Sequence, residues 1–472
     1  MKNKLLITIF ITVFIIADLF LIYYFGLLSV FFPLFTGLVI LAVIMISKNP
    51  FVGLLALIIS IPFERFPSIN IGNIDIRANQ LIASLTIVSL ILYKVFKKKK
   101  FSSYAVAPLI LLFSASMIIS MSQAENLTRA ITVLVFTFFM ILISFAVTNL
   151  INTKLKLQAV TKYLLATSFL VGIFGFFQFF GDVIGLPTTI TILKDIYTKE
   201  VFGFPRIQAF SMEPLFYADF LFIPLCITLI LFLKNDKLIF SKKFLLVIFS
   251  IIFLNMILTL SRGAYLGLCV VAFVVIILQF KNVFSIKNLK YILVVFSITF
   301  IGAYLFLART GSNSVSVFMK QATLGDLGKS ESTVARLTTF DQSLEAWQNH
   351  KIFGIGPGNF GPYVKNYPSD PGVSGWPTVN NEYLEILCEM GVVGLSVFIL
   401  VIFTIYCRSF IAYRVTRDIF LKSMILGTTL ALTGILIQYF TFSTLYIIHV
   451  WFLIGLILAI QNIAFKGDCK DE

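Results

Sequence analysis

Apolar runs of roughly 17 to 25 residues recur along almost the whole chain, and a run of that length crosses a hydrocarbon core of roughly 30 Å as a helix, the one open-chain structure that satisfies its own backbone in lipid. The composition agrees. Of the 472 residues 59% are hydrophobic and 12% charged, with a mean hydropathy of +0.98, against roughly 25% charged in a soluble domain. The expectation is an all-α, polytopic membrane helix bundle of about fourteen spans. They fall at 5–24, 28–46, the shorter 51–63, 78–96, 103–121, 130–149, 159–180, 212–233, 244–260, 263–280, 290–308, 381–406, 421–441 and 445–464.

Orientation follows from lysine and arginine. Lys97 to Lys100, Lys154 and Lys156, Lys234 to Lys243, Lys281 to Lys290 and Arg408 to Lys422 fall on one side when the spans are counted. The positive-inside rule makes that side cytoplasmic, with both termini there. The formal charge of +15 is then a topology signal, and no nucleic-acid partner is expected. No small-residue cleavage site follows the first run, so it is read as a retained helix. The five cysteines form neither a CxxC pair nor a disulfide framework.

The hydrophobicity breaks once, over Arg309 to Thr378, a polar stretch rich in Gly, Pro and Ser. The division expected is membrane helices 1–11 over 1–308, an extracytoplasmic loop acting as a lid over 309–378 with short amphipathic helices, and helices 12–14 over 379–472. Four polar stretches converge on the outer face in this topology. Each carries a charge where lipid would penalise one, and such charges are paired or functional.

Arg206, Glu213 and Asp219 lie in FGFPRIQAFSMEPLFYAD, and Arg262 in the tight turn TLSRGAYLG. Each arginine could anchor to lipid headgroups, but Ser261, Gly263 and Ala264 leave room for an anion. Arg336 sits on a predicted amphipathic helix from Thr333 to Asn349, beside an apolar stripe of Leu337, Phe340, Leu344 and Trp347 that should face the bundle. Further on, TVNNEYLEILCEMGVVG places Glu382, Glu385 and Glu389 on one helical face after Asn380 and Asn381, with Asn380 expected as the N-cap. GIGPGNFG formally contains GxGxxG. It lacks the flanking strand and helix of a dinucleotide site, so a re-aiming glycine turn is expected. His350 and His449 are read as structural, and no metal site or cofactor is expected. Arginine forks suit a diphosphate without a metal, so Arg206, Arg262 and Arg336 form the candidate anion site.

At these residues the chain resembles the O-antigen ligase and polymerase superfamily of bacterial envelopes. The resemblance rests on LTLSRGAYLGL, RLTTFDQSLEAWQNHKIFGIGPGNF and NNEYLEILCEMGVVGL in that order, over about residues 255 to 400. It implies a multi-pass protein of the bacterial cytoplasmic (inner) membrane that transfers glycan from an undecaprenyl diphosphate carrier to an acceptor hydroxyl on the outer leaflet, with inversion and without a metal. The partners implied are that donor, a glycan or lipid-linked acceptor, membrane lipid, and chain-length regulators or other assembly proteins. The family's essential arginines map onto Arg262 and Arg336, and Arg206 is a third. Glu213 is the first candidate for the base and Glu382 the second, with Asn380, Asn381 and Glu382 as substrate contacts. In lipid A core ligases the pair before the acidic helix reads His-Asn; here it is Asn380 and Asn381. That favours a polymerase of O-antigen or another surface polysaccharide over a ligase. A flippase for lipid-linked sugars is the reading from another class.

Overall fold

A computed structural model of the protein describes residues 31–71, 74–236, 238–291, 293, 294, 297, 331–364, 376–443 and 445–467. The expected spans at 5–24 and 290–308 lie wholly or largely outside them, as do 309–330 and 365–375 of the polar segment. The described helices are α1 (Phe31–Lys48), α2 (Pro50–Ser60), α3 (Ala78–Phe96), α4 (Ala107–Ser120), α5 (Leu127–Leu150), α6 (Lys154–Val183), α7 (Pro214–Leu233), α8 (Lys242–Leu258), α9 (Arg262–Val283), α10 (Glu331–Asn349), α11 (Glu382–Val415), α12 (Ile419–Gln438) and α13 (Ile448–Lys466), with a few single turns between them. Eight of these, α3, α5, α6, α7, α9, α11, α12 and α13, are long and apolar enough to cross a membrane.

Polar side chains set several helix starts. Asn49, Asn126, Thr153, Ser241 and Asp418 each accept a first-turn backbone N–H ahead of α2, α5, α6, α8 and α12. α7 and α13 are buried on nearly every side and form the centre, α7 lying along α12 and α13 along α5. Where α7, α9 and α12 cross, Gly267 and Gly434 leave space that the Phe222 ring fills. Outward faces expose large apolar side chains such as Val88, Val135, Phe273 and Phe403, the surface lipid would cover.

One element departs from the helical expectation. Ser68–Ile71 and Ile74–Arg77 pair as an antiparallel hairpin in the register Ser68 with Arg77 and Ile69 with Ile76. It delivers Arg77 to the start of α3, where its N–H donates to Gln80 Oε1 at 3.0 Å.

Hydrogen bonds sort the loops into two ends. At one end Asn149 Oδ1 accepts from Ser102 N (2.7 Å), Asn462 Nδ2 donates to Ser103 O (2.7 Å), Lys154 pairs with Asp418, and Lys242 Nζ donates to Asn288 Oδ1 (2.6 Å). These are the lysine-rich loops. The other end gathers the turns around residues 64, 126, 206, 259, 356, 381 and 440, joined by the contacts described below.

Candidate active site

Three guanidinium groups from three separate stretches meet at that second end. Arg206 lies on the irregular segment before α7. Its N–H donates to Tyr197 O (2.9 Å), its Nε donates to Thr259 O (2.7 Å), and the guanidinium carbon stands 5.6 Å from the Tyr197 ring centre. The next N–H, of Ile207, donates to Leu258 O (3.2 Å), so this segment is stitched to the turn between α8 and α9. Arg262 opens α9 directly after that turn, in which Leu260 takes φ +50°. A helix N-terminus adds partial positive charge of its own. Ser261 Oγ, one residue earlier, is buried with no hydrogen-bond partner among the described residues.

Arg336 arrives on α10 from the polar segment. Burial pulls its guanidinium below the ordinary value, and the charge of Arg262 acts in the same direction. Arg206 is also lowered by burial, which Tyr197 and Glu213 oppose and Arg336 reinforces. All three are half-buried, and each such effect decays over a short range, so the three cations share one neighbourhood.

The inward face of α10 keeps half of the expected stripe, Phe340 and Trp347 packing against the buried Ile355, Phe360, Val379 and Cys388. Leu337 is 54% exposed and Leu344 36%, whereas Ser343 and Ala346 are buried, and Thr339 Oγ1 donates to Val379 O at 3.2 Å. The inward face therefore runs through Arg336, Thr339, Phe340, Ser343, Ala346 and Trp347, with Ser343 and Ala346 the most deeply buried.

Glu213 precedes Pro214 at the start of α7 and makes no cap with its side chain. It lines a cavity of about 500 Å³ together with Glu64 and Arg77. Behind Glu64 lies a buried chain of ionisable groups: His449 Nε2 is 2.8 Å from Asp219 Oδ2, and its Nδ1 is 3.6 Å from Glu64 Oε1. His449 is thus flanked by two acids that lie far from it in the sequence, one on α7 and one in the turn after α2. Asp219 is this histidine's partner.

The acidic helix serves the fold more than was expected. α11 is broken at Gly391 (φ 66°, ψ −170°), and the freed groups are taken up by the loop. Ile355 N and Gly356 N donate to Cys388 O and Glu389 O (both 2.9 Å), while Val392 N and Val393 N donate to Lys351 O (3.0 Å) and Ile352 O (3.3 Å). A Cβ on Gly354 would lie 2.5 Å from Glu389 O, so the two backbones meet where only glycine fits. Glu389 then accepts from Gly358 N (2.7 Å) and Phe360 N (3.2 Å), and Arg129 Nε donates to Gly358 O. The GIGPGNF stretch is thus a glycine turn wrapped around a buried carboxylate.

Two further expectations change. Asn381, not Asn380, caps α11: its Oδ1 accepts from Leu384 N (3.1 Å), and its Nδ2 donates to Phe440 O (3.2 Å). Glu382 is 1% exposed and accepts from Leu445 N at 3.0 Å, which ties it into the wall of the bundle and leaves Glu213 the better placed of the two candidate bases. Asn380, at φ 56°, donates to Thr378 O (3.2 Å) beside Val379, which Thr339 of α10 contacts. Arg206, Glu213, Arg262 and Arg336 are brought together; Asn381 and Glu382 are structural supports at their edge. Reading the sequence missed Glu64, Arg77, Tyr197 and Arg129, which carry no local motif.

Fold and site define a multi-pass helical membrane protein with a half-buried arginine cluster at one end. Residues 220–399 match the family model described as O-antigen ligase, which supports the O-antigen ligase and polymerase superfamily and a membrane glycan enzyme of that type. The match contains Arg262, Arg336 and the break at Gly391, and stops short of Arg206, Glu213, Glu64 and His449. No curated protein matches the chain.

Proposed function

We propose that the protein is a metal-independent, inverting glycosyltransferase that polymerises repeat units of O-antigen or another surface polysaccharide from an undecaprenyl-diphosphate-linked donor. It works in the bacterial cytoplasmic membrane with its site on the extracytoplasmic face. The observation that carries this reading is the convergence of Arg206, Arg262 and Arg336 from three elements, which suits a diphosphate: each fork binds phosphate oxygens bidentately, and together they take up the charge that grows as the anomeric bond breaks. The acceptor oxygen attacks the anomeric carbon, the bond to the diphosphate oxygen breaks with its electron pair staying on that oxygen, and the acceptor proton passes to Glu213. One displacement inverts the anomeric centre.

The pair Asn380 and Asn381 favours polymerisation, since neither can serve as a base. Transfer to lipid A core or to another acceptor is the second reading, and lipid-linked sugar flipping the third. Deleting the gene separates them: loss of a polymerase leaves single capped repeat units, loss of a ligase leaves polymer stranded on its carrier, and loss of a flippase leaves units facing the cytoplasm. Either of the last two profiles contradicts the proposal. Chain-length regulators and other assembly proteins are the partners this reaction calls for.

A further inference from the structure

We infer that the cavity beside the arginine cluster is the acceptor subsite, built to hold an uncharged sugar by its hydroxyls, with Glu64 as the acceptor-positioning carboxylate and Glu213 at the reacting end. The inference rests on the transfer reaction proposed above and assigns the half of it that the arginines leave open.

Charge is the first argument. The cavity, of about 500 Å³ and so within the range of small-ligand sites, is lined by two acids, Glu64 and Glu213, and by one arginine, Arg77. The charges of Lys194 and Arg206 also act on Glu213, from beyond the lining; within the lining itself carboxylates outnumber cations, which suits hydroxyl donors better than a diphosphate. The arginine cluster next to it has the opposite preference. Because Glu213 lines the cavity and also acts on the charge of Arg206, the two compartments meet at that residue. A hydroxyl held in the acidic compartment would be presented to an anomeric carbon whose phosphates sit in the cationic one.

The second argument is the support behind Glu64. Glu64 is 6% exposed, and its carboxylate is held 3.6 Å from His449 Nδ1 and accepts from Met212 N at 3.4 Å. His449 is in turn fixed by Asp219 at 2.8 Å. Burying three ionisable groups at the centre of a membrane bundle is costly, and a bundle that needed only a polar bridge could use fewer. The chain fixes the orientation of Glu64, as second acids fix catalytic and metal-binding histidines elsewhere.

Asn79 supplies the third argument. It lines the same cavity at 2% exposure, and its Oδ1 has no hydrogen-bond partner among the described residues. A buried carbonyl oxygen without a partner costs free energy unless something supplies a donor, and a sugar hydroxyl would. Phe136 and Phe216 add aromatic surface on which the C–H face of a pyranose can rest.

The test uses full-length protein in nanodiscs and two probes. One is the glycan extracted on its lipid carrier from cells lacking this protein and freed of carrier and phosphate by mild acid. The other is farnesyl diphosphate, which has no sugar. Binding of the free glycan, read by titration calorimetry, should weaken about tenfold or more in Asn79→Ala and in Glu64→Gln, and stay unchanged in Arg262→Lys. Farnesyl diphosphate should show the reverse pattern. Asn79→Ala removes no hydrogen bond at Oδ1 from the described fold, so it decides the matter if Glu64→Gln does not fold. Equal glycan binding by wild type and Asn79→Ala, including none by either, overturns the assignment. The farnesyl diphosphate arm reads the arginines alone, so a failure there falls on the proposed reaction and not on the cavity.

Discussion

Glu213 is the residue at which the two halves of the proposed site meet, and the proposed role makes a kinetic statement. A carboxylate that accepts the acceptor proton in the transition state contributes about 10² to 10⁴ in rate, so Glu213→Gln should lower kcat by about that factor and leave KM for the lipid-linked donor nearly unchanged. Steady-state rates of the purified variant check this; an unaltered kcat would remove Glu213 from the chemistry. Arg206, Glu213, Arg262 and Arg336 were legible in the sequence because a charge in an apolar setting is rare and demands a reason. Glu64 and His449 were not. Their meeting is a tertiary contact between the turn after α2 and the start of α13, and nothing in either neighbourhood points to the other.

At the scale of elements, the break in α11 is the feature that holds the loop to the bundle. Gly391 adopts a conformation costing other residues about 1 to 3 kcal/mol, and a Cβ there would strike Ile352 O. Gly391→Ala should therefore lower the unfolding midpoint of the purified protein clearly, whereas Gly37→Ala, where an added Cβ meets nothing within 4 Å, should leave it unchanged or raise it. A Gly391→Ala protein that melts like wild type would mean that the break is not a rigid joint. The sequence hid this break, because EYLEILCEMGVVGL reads as one continuous helix with its acids on one face, and a glycine inside it is unremarkable in a membrane span. The α10 face was legible in part: apolarity rightly picks Phe340 and Trp347 but also Leu337 and Leu344, which are exposed, and it passes over Ser343 and Ala346, which are buried. The hairpin has a sequence basis, since SINI and IDIR alternate around Gly72 and Asn73, a pattern that favours paired strands.

The molecule as a whole separates a lysine-rich end from an end that carries the arginine cluster, the broken helix and the acidic cavity. Hydropathy made the helices legible, because lipid allows few alternatives, while the pairing of ends required the contacts themselves. If the lysine-rich end is cytoplasmic, a cysteine placed by Gln348→Cys on α10 in a cysteine-free background should react with an impermeant maleimide on intact cells, and one placed by Lys97→Cys should react only after permeabilisation; the opposite pattern would invert the protein in the membrane. The central claim is that arginine forks, without a metal, stabilise the departing diphosphate. Its most direct test is glycan transfer by the purified protein in EDTA, comparing wild type with Arg262→Lys and Arg336→Lys, which keep the charge and lose the planar fork. The account predicts full activity of the wild type in EDTA and a loss in each folded lysine variant equivalent to about 2 to 4 kcal/mol of transition-state stabilisation. Wild-type activity abolished by EDTA and restored by magnesium or manganese, or lysine variants with near-normal rates, would contradict it.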